Sequence, residues 1–331
     1  MTILITGGSG FVGLNVAEAL LGRGRDVVLL ADAPPPEAAA ATLGRLPGSL
    51  TAVVGDVRTG TDVARIFARH RPRQVVHAAA LTPGPRQERA AARATMEVNL
   101  LGTLAVLQAA HDHGVARVVL VSSGAVYGQA AFEVEAIAET TPPAPGALYA
   151  ISKLAAEQAG LRLGELLDLE VVACRLGTVF GPWERATGVR ETLSPIFQVM
   201  HLARQATPVV LPREGRRDWV YARDVAAAIV AVLAAPAPAA KVYNVSSGVE
   251  WTVAAWCARL ASALPQFSYR IADATAEANV GLWSDRDRAP LAIDRLAEEI
   301  GFRPTFGLAA AFDDYLDWLR RHPVSVGGFL D

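Results

Sequence analysis

Short apolar runs alternate with longer stretches of helical periodicity through the first half of the chain. TILIT (2–6), DVVLLA (26–31), TAVVG (51–55), QVVHAA (74–79), RVVLVSS (117–123) and LEVVACRL (169–176) read as strands. FVGLNVAEALLGRG and ATMEVNLLGTLAVLQAAHDHG, which lie between them, read as helices. The strands are rich in Val, Leu and Ile and lack in/out alternation, so both faces are expected to be buried. Strand–helix alternation with such strands predicts an α/β fold: a doubly wound parallel sheet of Rossmann type, covered on both sides. The regular rhythm stops near residue 177. Beyond it come Gly181-Pro182, Thr207-Pro208, Leu211-Pro212 and the charged run REGRRD (213–218), then short strands (KVYNV, FSYRI) among helices. This predicts a dinucleotide-binding domain over 1–176, with a segment at about 213–245 returning to it. A smaller, mostly C-terminal α/β substrate lobe is expected over 177–331, with the substrate cleft between the two. No internal repeat is visible.

Composition narrows the function. The chain has 331 residues and a formal net charge of −2, which gives no electrostatic case for nucleic acid or an anionic membrane. No apolar run approaches the roughly 20 residues of a membrane helix. The N-terminal MTILITGGSG turns to glycine before a signal-length apolar region forms, so a cytoplasmic protein is expected. Cys174 and Cys257 lie in separate apolar runs and offer no metal-ligand spacing. They read as buried free thiols, and no metal is expected.

TILITGGSGFVGLNVAEALL places a strand, then glycines, then a helix. Gly7, Gly10 and Gly13 form G-x-x-G-x-x-G; Gly8, Gly10 and Gly13 also fit G-x-G-x-x-G. Glycines permit the tight turn and let backbone approach a pyrophosphate, which faces the free N–H groups of the helix start, here Phe11, Val12 and Gly13. Asp32 ends the second strand, where a carboxylate accepts hydrogen bonds from ribose hydroxyls and repels a 2′-phosphate. No basic residue follows closely, which favours NAD over NADP.

YAISK (149–153) supplies the second constellation. The chain has 31 basic residues, of which only Lys153 and Lys241 are lysine. Positions i and i+4 share a helix face, so Tyr149 and Lys153 point into one region. A nearby ammonium stabilises a phenolate, and the expectation is a tyrosine pKa lowered enough to serve as general base.

Together these segments resemble the extended (epimerase/dehydratase-type) short-chain dehydrogenase/reductases. The resemblance covers nearly the whole chain. It rests on TGGSGFVG (6–13), Asp32, GDV (55–57), HAAA (77–80), VNLLGT (98–103), VSSGAVYG (121–128), YAISK, RLGTVFGP (175–182) and RRDWVYARDVA (216–226). It implies an NAD-dependent enzyme in which Ser123 holds the substrate oxygen, Tyr149 moves the proton and Lys153 tunes Tyr149 and grips the cofactor ribose. Asp56 and Val57 would flank the adenine, Ala78, Ala79 and Ala80 would pass under the cofactor, and Asn99 would support it from the central helix. Tyr127 and His77 read as structural.

The resemblance leaves the reaction open. Dehydratases of the family carry an Asp-Glu pair after the catalytic Thr, where this chain has Gly124 and Ala125. Arg217 matches the arginine with which nucleotide-sugar enzymes hold a diphosphate, and Arg288 is a candidate second anion contact. Against this, Thr178 stands where those enzymes carry an asparagine. A shorter anionic substrate could instead be anchored by Arg185, Arg190 or Arg217, with Thr82 lining the pocket. A nucleotide-sugar (UDP-hexose) 4-epimerase is slightly preferred over a net dehydrogenase of a sugar, sugar acid or polyol; a non-catalytic NAD-binding regulator is the remaining class. The family commonly dimerises through a four-helix bundle, and the matching helices here are 86–112 and 148–168, so a homodimer is expected.

Overall fold

The computed structural model describes residues 1–188, 190–191 and 193–322. The six predicted strands all form: β1 (Thr2–Thr6), β2 (Asp26–Ala31), β3 (Leu50–Val54), β4 (Gln74–His77), β5 (Arg117–Ser123) and β6 (Glu170–Leu176). A seventh, β7 (Val242–Val245), joins them after a long excursion. The sheet order is β7-β6-β5-β4-β1-β2-β3, and every pairing is parallel. This is the doubly wound arrangement, and the order reverses between β1 and β4. In such sheets the ligand crevice lies outside the carboxyl ends of the strands at that switch point. β4 stops at His77, earlier than its apolar run, because the chain turns beneath Gly7 immediately after Ala78 N donates to Thr6 O (3.1 Å).

Helices α1 (Phe11–Leu21), α2 (Glu37–Leu43), α3 (Gly60–His70), α4 (Glu88–Met96), α5 (Gly102–Asp112) and α6 (Leu148–Leu166) cover the sheet. α4 runs into α5 through a π-turn, Glu97–Leu101, so the predicted helix carries one wide turn at Asn99. Such turns often mark functional sites. Two apolar layers result. Leu14, Val16, Leu20 and Leu21 of α1 join one face, and Val106, Leu107 and Ala110 of α5 join the other. Each fully buried aliphatic side chain here contributes about 1.5–3 kcal/mol.

The chain beyond β6 adds α7 (Pro195–Arg204), α8 (Ala222–Ala234), α9 (Val253–Ala263), α10 (Asp294–Ile300) and α11 (Leu308–Arg321). Three short ribbons pair Val179–Phe180 with Val220–Tyr221, Arg216–Arg217 with Trp251–Thr252, and Val209–Leu211 with Tyr269–Ile271. α7 lies within the stretch whose sequence reads as irregular. Its start is nonetheless specified locally: Ser194 caps it by accepting from Phe197 N (3.1 Å), with Pro195 in the first turn. Phe180, Tyr221, Trp251, Trp256, Phe312 and Tyr315 form an aromatic core. This core is continuous with the α1 side of the sheet. Cys174 and Cys257 are buried free thiols, and burial pushes both up to about 12.

Candidate active site

The glycine loop between β1 and α1 is built to admit a phosphate group. Gly7 has φ +64°, and a Cβ there would stand 2.7 Å from the Ala79 backbone. A Cβ on Gly13 would lie 2.4 Å from Gly7 O. Gly10 donates to Gly7 O at 2.9 Å and opens α1 with no side-chain cap. The first backbone bond of the helix runs from Leu14 N to Gly10 O (2.9 Å). Phe11, Val12 and Gly13 therefore present free N–H groups at the positive end of the helix dipole. The loop is tied to the end of β2 by Ser9 Oγ, which donates to Ala33 O (2.8 Å). Asp32 is exposed beside it.

Arg185 packs here too. Its Nη2 donates to Ser9 O (2.6 Å), while its Nη1 is buried without a hydrogen-bond partner. Burial lowers its pKa. The sequence placed this residue with the substrate; the structure sets it against the glycine loop. A dinucleotide fits this set: helix N–H groups, a glycine cradle and one orphaned guanidinium face where its pyrophosphate would lie.

Asp56 comes shortly after β3, and its carboxylate is held by Arg58 through Nε (2.8 Å), Nη2 (2.6 Å) and the backbone N–H (2.8 Å). Arg58 lies within electrostatic reach of Asp32 as well. Sequence reasoning missed Arg58 because it is distant from Asp32 along the chain. Val57 is buried against Gly102, whose Cβ would meet it at 2.8 Å.

Ala78, Ala79 and Ala80 leave β4 beneath Gly7, and Asn99 of the π-turn holds the next residue, Leu81. The Asn99 amide accepts from Leu81 N (2.8 Å) and donates to Leu81 O (3.0 Å) and Ser152 Oγ (2.9 Å). Ser152 in turn donates to Tyr149 O (2.7 Å). Asn99 thus links the floor of the crevice to the helix bearing Tyr149. His77 is buried in a chain of defined direction. Thr103 Oγ1 donates to Asn99 O (2.6 Å), so it accepts from His77 Nε2 (2.9 Å), and His77 Nδ1 accepts from Thr6 Oγ1 (2.6 Å). The ring is neutral, and burial, with Lys153 adding to it, depresses its pKa to about 3.

Ser123 ends β5, and Tyr149 and Lys153 stand one turn apart on α6. The N-terminus of α6 is held by the Glu88 carboxylate, which accepts from Leu148 N. The Ser123 hydroxyl accepts from Ala125 N (3.1 Å) and lies near enough to Tyr149 to pull its pKa down. The Tyr149 pKa departs from expectation. It lies above the usual phenol value because burial outweighs the pull of the Ser123 hydroxyl and the positive charge of Arg190. The lysine meant to lower it is itself only 5% exposed, and burial brings Lys153 down to about 8 against the pull of Glu157. Arg190 was expected as a substrate anchor and is the cation that bears on Tyr149. It pairs with Glu184 (3.0 Å), a buried carboxylate that also caps Ser194. Its backbone bridges Thr82.

The remaining arginines separate. Arg288 pairs with Asp218 at 2.9 Å, so that charge is largely committed within the protein. Arg217 is 8% exposed and makes no ion pair among the described residues. Its Nη1 donates to Thr178 Oγ1 (3.3 Å), its Nε is buried without a partner, and its guanidinium lies 5.4 Å from the Trp219 ring and 5.9 Å from the Trp283 ring. Burial, then repulsion by Arg288, lowers its pKa to about 10. An anion would relieve both effects. Trp283, missed in the sequence, also lies 5.9 Å from Arg190, so it spans the two cations. No group of potential metal ligands occurs among the described residues, and no helix among them is long and apolar enough to cross a membrane.

Known proteins share this architecture. The chain is 29% identical to a dTDP-glucose 4,6-dehydratase of Xanthomonas campestris pv. campestris, over 100% of this chain and 96% of that one. It is 30% identical to a dTDP-L-rhamnose 4-epimerase of Burkholderia thailandensis, over 74% of this chain and 76% of the relative. A Thermus thermophilus UDP-glucose 4-epimerase solved with NAD superimposes with a TM-score of 0.78 at 29% identity, covering 97% of this chain and 99% of the other. Residues 3–246 match the NAD dependent epimerase/dehydratase family. With the glycine cradle and the Ser123–Tyr149–Lys153 constellation in place, the chain belongs to that family and is an NAD-dependent enzyme of the extended short-chain dehydrogenase/reductase type.

Proposed function

We propose that the protein is a nucleotide-sugar 4-epimerase, with UDP-hexoses as the first substrates to test. The observation that carries this reading is Arg217: a buried guanidinium with an orphaned Nε and no carboxylate partner among the described residues. A diphosphate matches its planar donor fork. Relatives named as dTDP-sugar and UDP-glucose enzymes support the substrate class.

NAD, when bound, supplies the hydride acceptor for a carbon bearing a hydroxyl. Tyr149 takes the hydroxyl proton and returns it, Ser123 holds the substrate oxygen, and Lys153 stabilises the phenolate and grips the ribose. Tyr149 begins with a raised pKa even beside Arg190, so it needs further positive charge, from the Lys153 ammonium and the oxidised nicotinamide, before it works as a base near neutral pH. Gly124 and Ala125 come after Ser123 and supply no acid for water elimination, which disfavours a dehydratase despite the similarity to dehydratases. Epimerisation requires that the cofactor stay bound and that the oxidised sugar be re-presented on its other face.

One observation favours a second reading. Thr178 replaces the amide expected beside a sugar diphosphate, and its hydroxyl is occupied by Arg217 (3.3 Å). A net NAD-dependent dehydrogenase of an anionic sugar or sugar acid would need only the arginine. The test is direct: denature the purified protein, assay released NAD, and monitor UDP-galactose/UDP-glucose interconversion. Retained NAD with interconversion and no accumulating NADH is expected; steady NADH from a free sugar acid overturns the epimerase.

The division into a cofactor domain and a C-terminal substrate lobe, and a cytoplasmic location, belong to the same reading. So does a homodimer through α4–α5 and α6. Leu101 and Ile151 are exposed on these helices and suit such an interface.

A further inference from the structure

We propose that Glu157 is a positioning residue for the Tyr149–Lys153 pair: its carboxylate fastens the Ser123 end of β5 to α6 and is the counter-charge nearest the Lys153 ammonium. The inference rests on the reading of Tyr149 and Lys153 as the working pair and assigns control of the Lys153 charge state to a residue that touches neither substrate nor cofactor.

The geometry is that of a two-sided clamp. Glu157 lies one turn after Lys153 on α6 and is 2% exposed. Its Oε2 accepts from Ser122 Oγ at 2.6 Å, and Ser122 immediately precedes Ser123. The same carboxylate accepts from Arg175 Nε (3.0 Å) and Nη2 (2.5 Å). Arg175 is fixed in turn by donation to Tyr127 Oη (2.9 Å), which donates to Asn244 Oδ1 (2.7 Å). β5, β6 and α6 thus meet on one carboxylate, and β7 is joined to it through Tyr127 and Arg175. A small cavity lined by His77, Thr103, Ser122, Lys153 and Glu157 joins that carboxylate to the lysine.

The charges around Lys153 identify which of them matters. From β4 it faces His77, which is neutral. From α5 it faces Thr103 and from β5 Ser122, both uncharged. From α6 it faces Glu157. Arg175 on β6 is engaged with Glu157 and Tyr127, and the Glu139 carboxylate lies beyond, holding Asn244 N (2.9 Å). Arg190 bears on Tyr149 from the substrate side. Glu157 is therefore the carboxylate that opposes the burial of Lys153. A buried Arg–Glu pair alone is weak evidence of function, since apolar residues often replace such pairs. This pair is joined to both catalytic elements.

Removing the Glu157 charge leaves the burial of Lys153 unopposed, so the lysine loses its proton at lower pH. The readout is the Lys153 titration in NAD-loaded full-length protein, followed by NMR of isotope-labelled lysine; the chain has one other lysine, Lys241, and Lys153→Met identifies the signal. Glu157→Gln should lower the Lys153 midpoint by about one pH unit. Ser122→Ala breaks the clamp but keeps the charge; it should lower turnover and leave the midpoint in place. If Glu157→Gln does not fold around a lone Arg175, the double variant Glu157→Gln/Arg175→Met removes both charges, and a smaller downward shift is expected because the Arg175 charge leaves with that of Glu157. A wild-type midpoint in every folded Glu157 variant overturns the inference. Wild-type turnover in Tyr149→Phe instead overturns the reading of Tyr149 on which it stands.

Discussion

Arg217 Nη1 donates to Thr178 Oγ1 across 3.3 Å, while the Nε of the same guanidinium is buried without a partner. The threonine orients the cation, and Asp218 and Asp287 offset its charge only through space, with no ion pair formed among the described residues. Arg217→Ala should raise KM for anionic sugar substrates about 10- to 100-fold, the range of one charge-assisted hydrogen bond, with kcat changed less. Arg217→Lys should recover little, because a compact ammonium cannot serve Thr178 and a planar anion together. Steady-state kinetics separates the two effects. An unchanged KM would assign Arg217 to structure.

Gly13 sits where a methyl group has no room. Its Cβ would lie 2.4 Å from Gly7 O, which is backbone and cannot swing away. In an ordinary helix, Gly→Ala gains roughly 0.5–1 kcal/mol. Here α1 would have to move off the loop, opening the N–H groups that face the phosphates. Gly13→Ala should fold yet lose NAD affinity by at least about tenfold. Assay of co-purified NAD and titration of the apoprotein check this; wild-type NAD content would refute the cradle.

The sheet was legible because its strands are buried on both faces and so read as uninterrupted apolar runs. The glycine loop and YAISK were legible because their chemistry is local, a turn in one case and one helix face in the other. The contacts that stayed hidden join residues distant along the chain. Arg58 comes within electrostatic reach of Asp32, Glu157 meets Arg175 and Ser122, and Trp283 spans Arg190 and Arg217. No periodicity or spacing encodes such encounters. The raised pKa of Tyr149 escaped for the same reason: i+4 spacing gives the neighbour but not the depth of burial, and burial wins.

His77 makes stability depend on acid. Its folded pKa is depressed to about 3, against about 6.5 in an unfolded chain. Between these values the unfolded state binds a proton that the folded state refuses, so stability falls as pH drops and is fully retained above about 6.5. At pH 5 the loss is about 2 kcal/mol, from roughly 1.5 pH units at 1.36 kcal/mol each. Denaturant midpoints measured from pH 7.5 to 4.5 should fall, and the fall should be shallower in His77→Gln. Equal slopes in the two proteins would show that other groups set the acid sensitivity.

The pairing of Arg58 with Asp56, near Asp32, yields a testable expectation about cofactor choice. Asp32 is exposed at the end of β2 and repels a 2′-phosphate. Arg58 is the cation nearest Asp32 in effect, but three carboxylates engage it: Asp56 directly at 2.6 Å, Glu97 at 4.0 Å and Asp32 electrostatically. Asp32→Ser removes the repulsion and leaves Arg58 with two carboxylates in place of three. The NADP/NAD affinity ratio should then rise by about tenfold or more, one unit charge changing sign of effect across a solvent-exposed site. Adding Arg58→Ala should cancel the gain, and the gain itself should shrink at high salt. Titration of both dinucleotides against the three proteins measures the ratio. A rise that survives Arg58→Ala would place the phosphate contact elsewhere, with Arg185 the next residue to change.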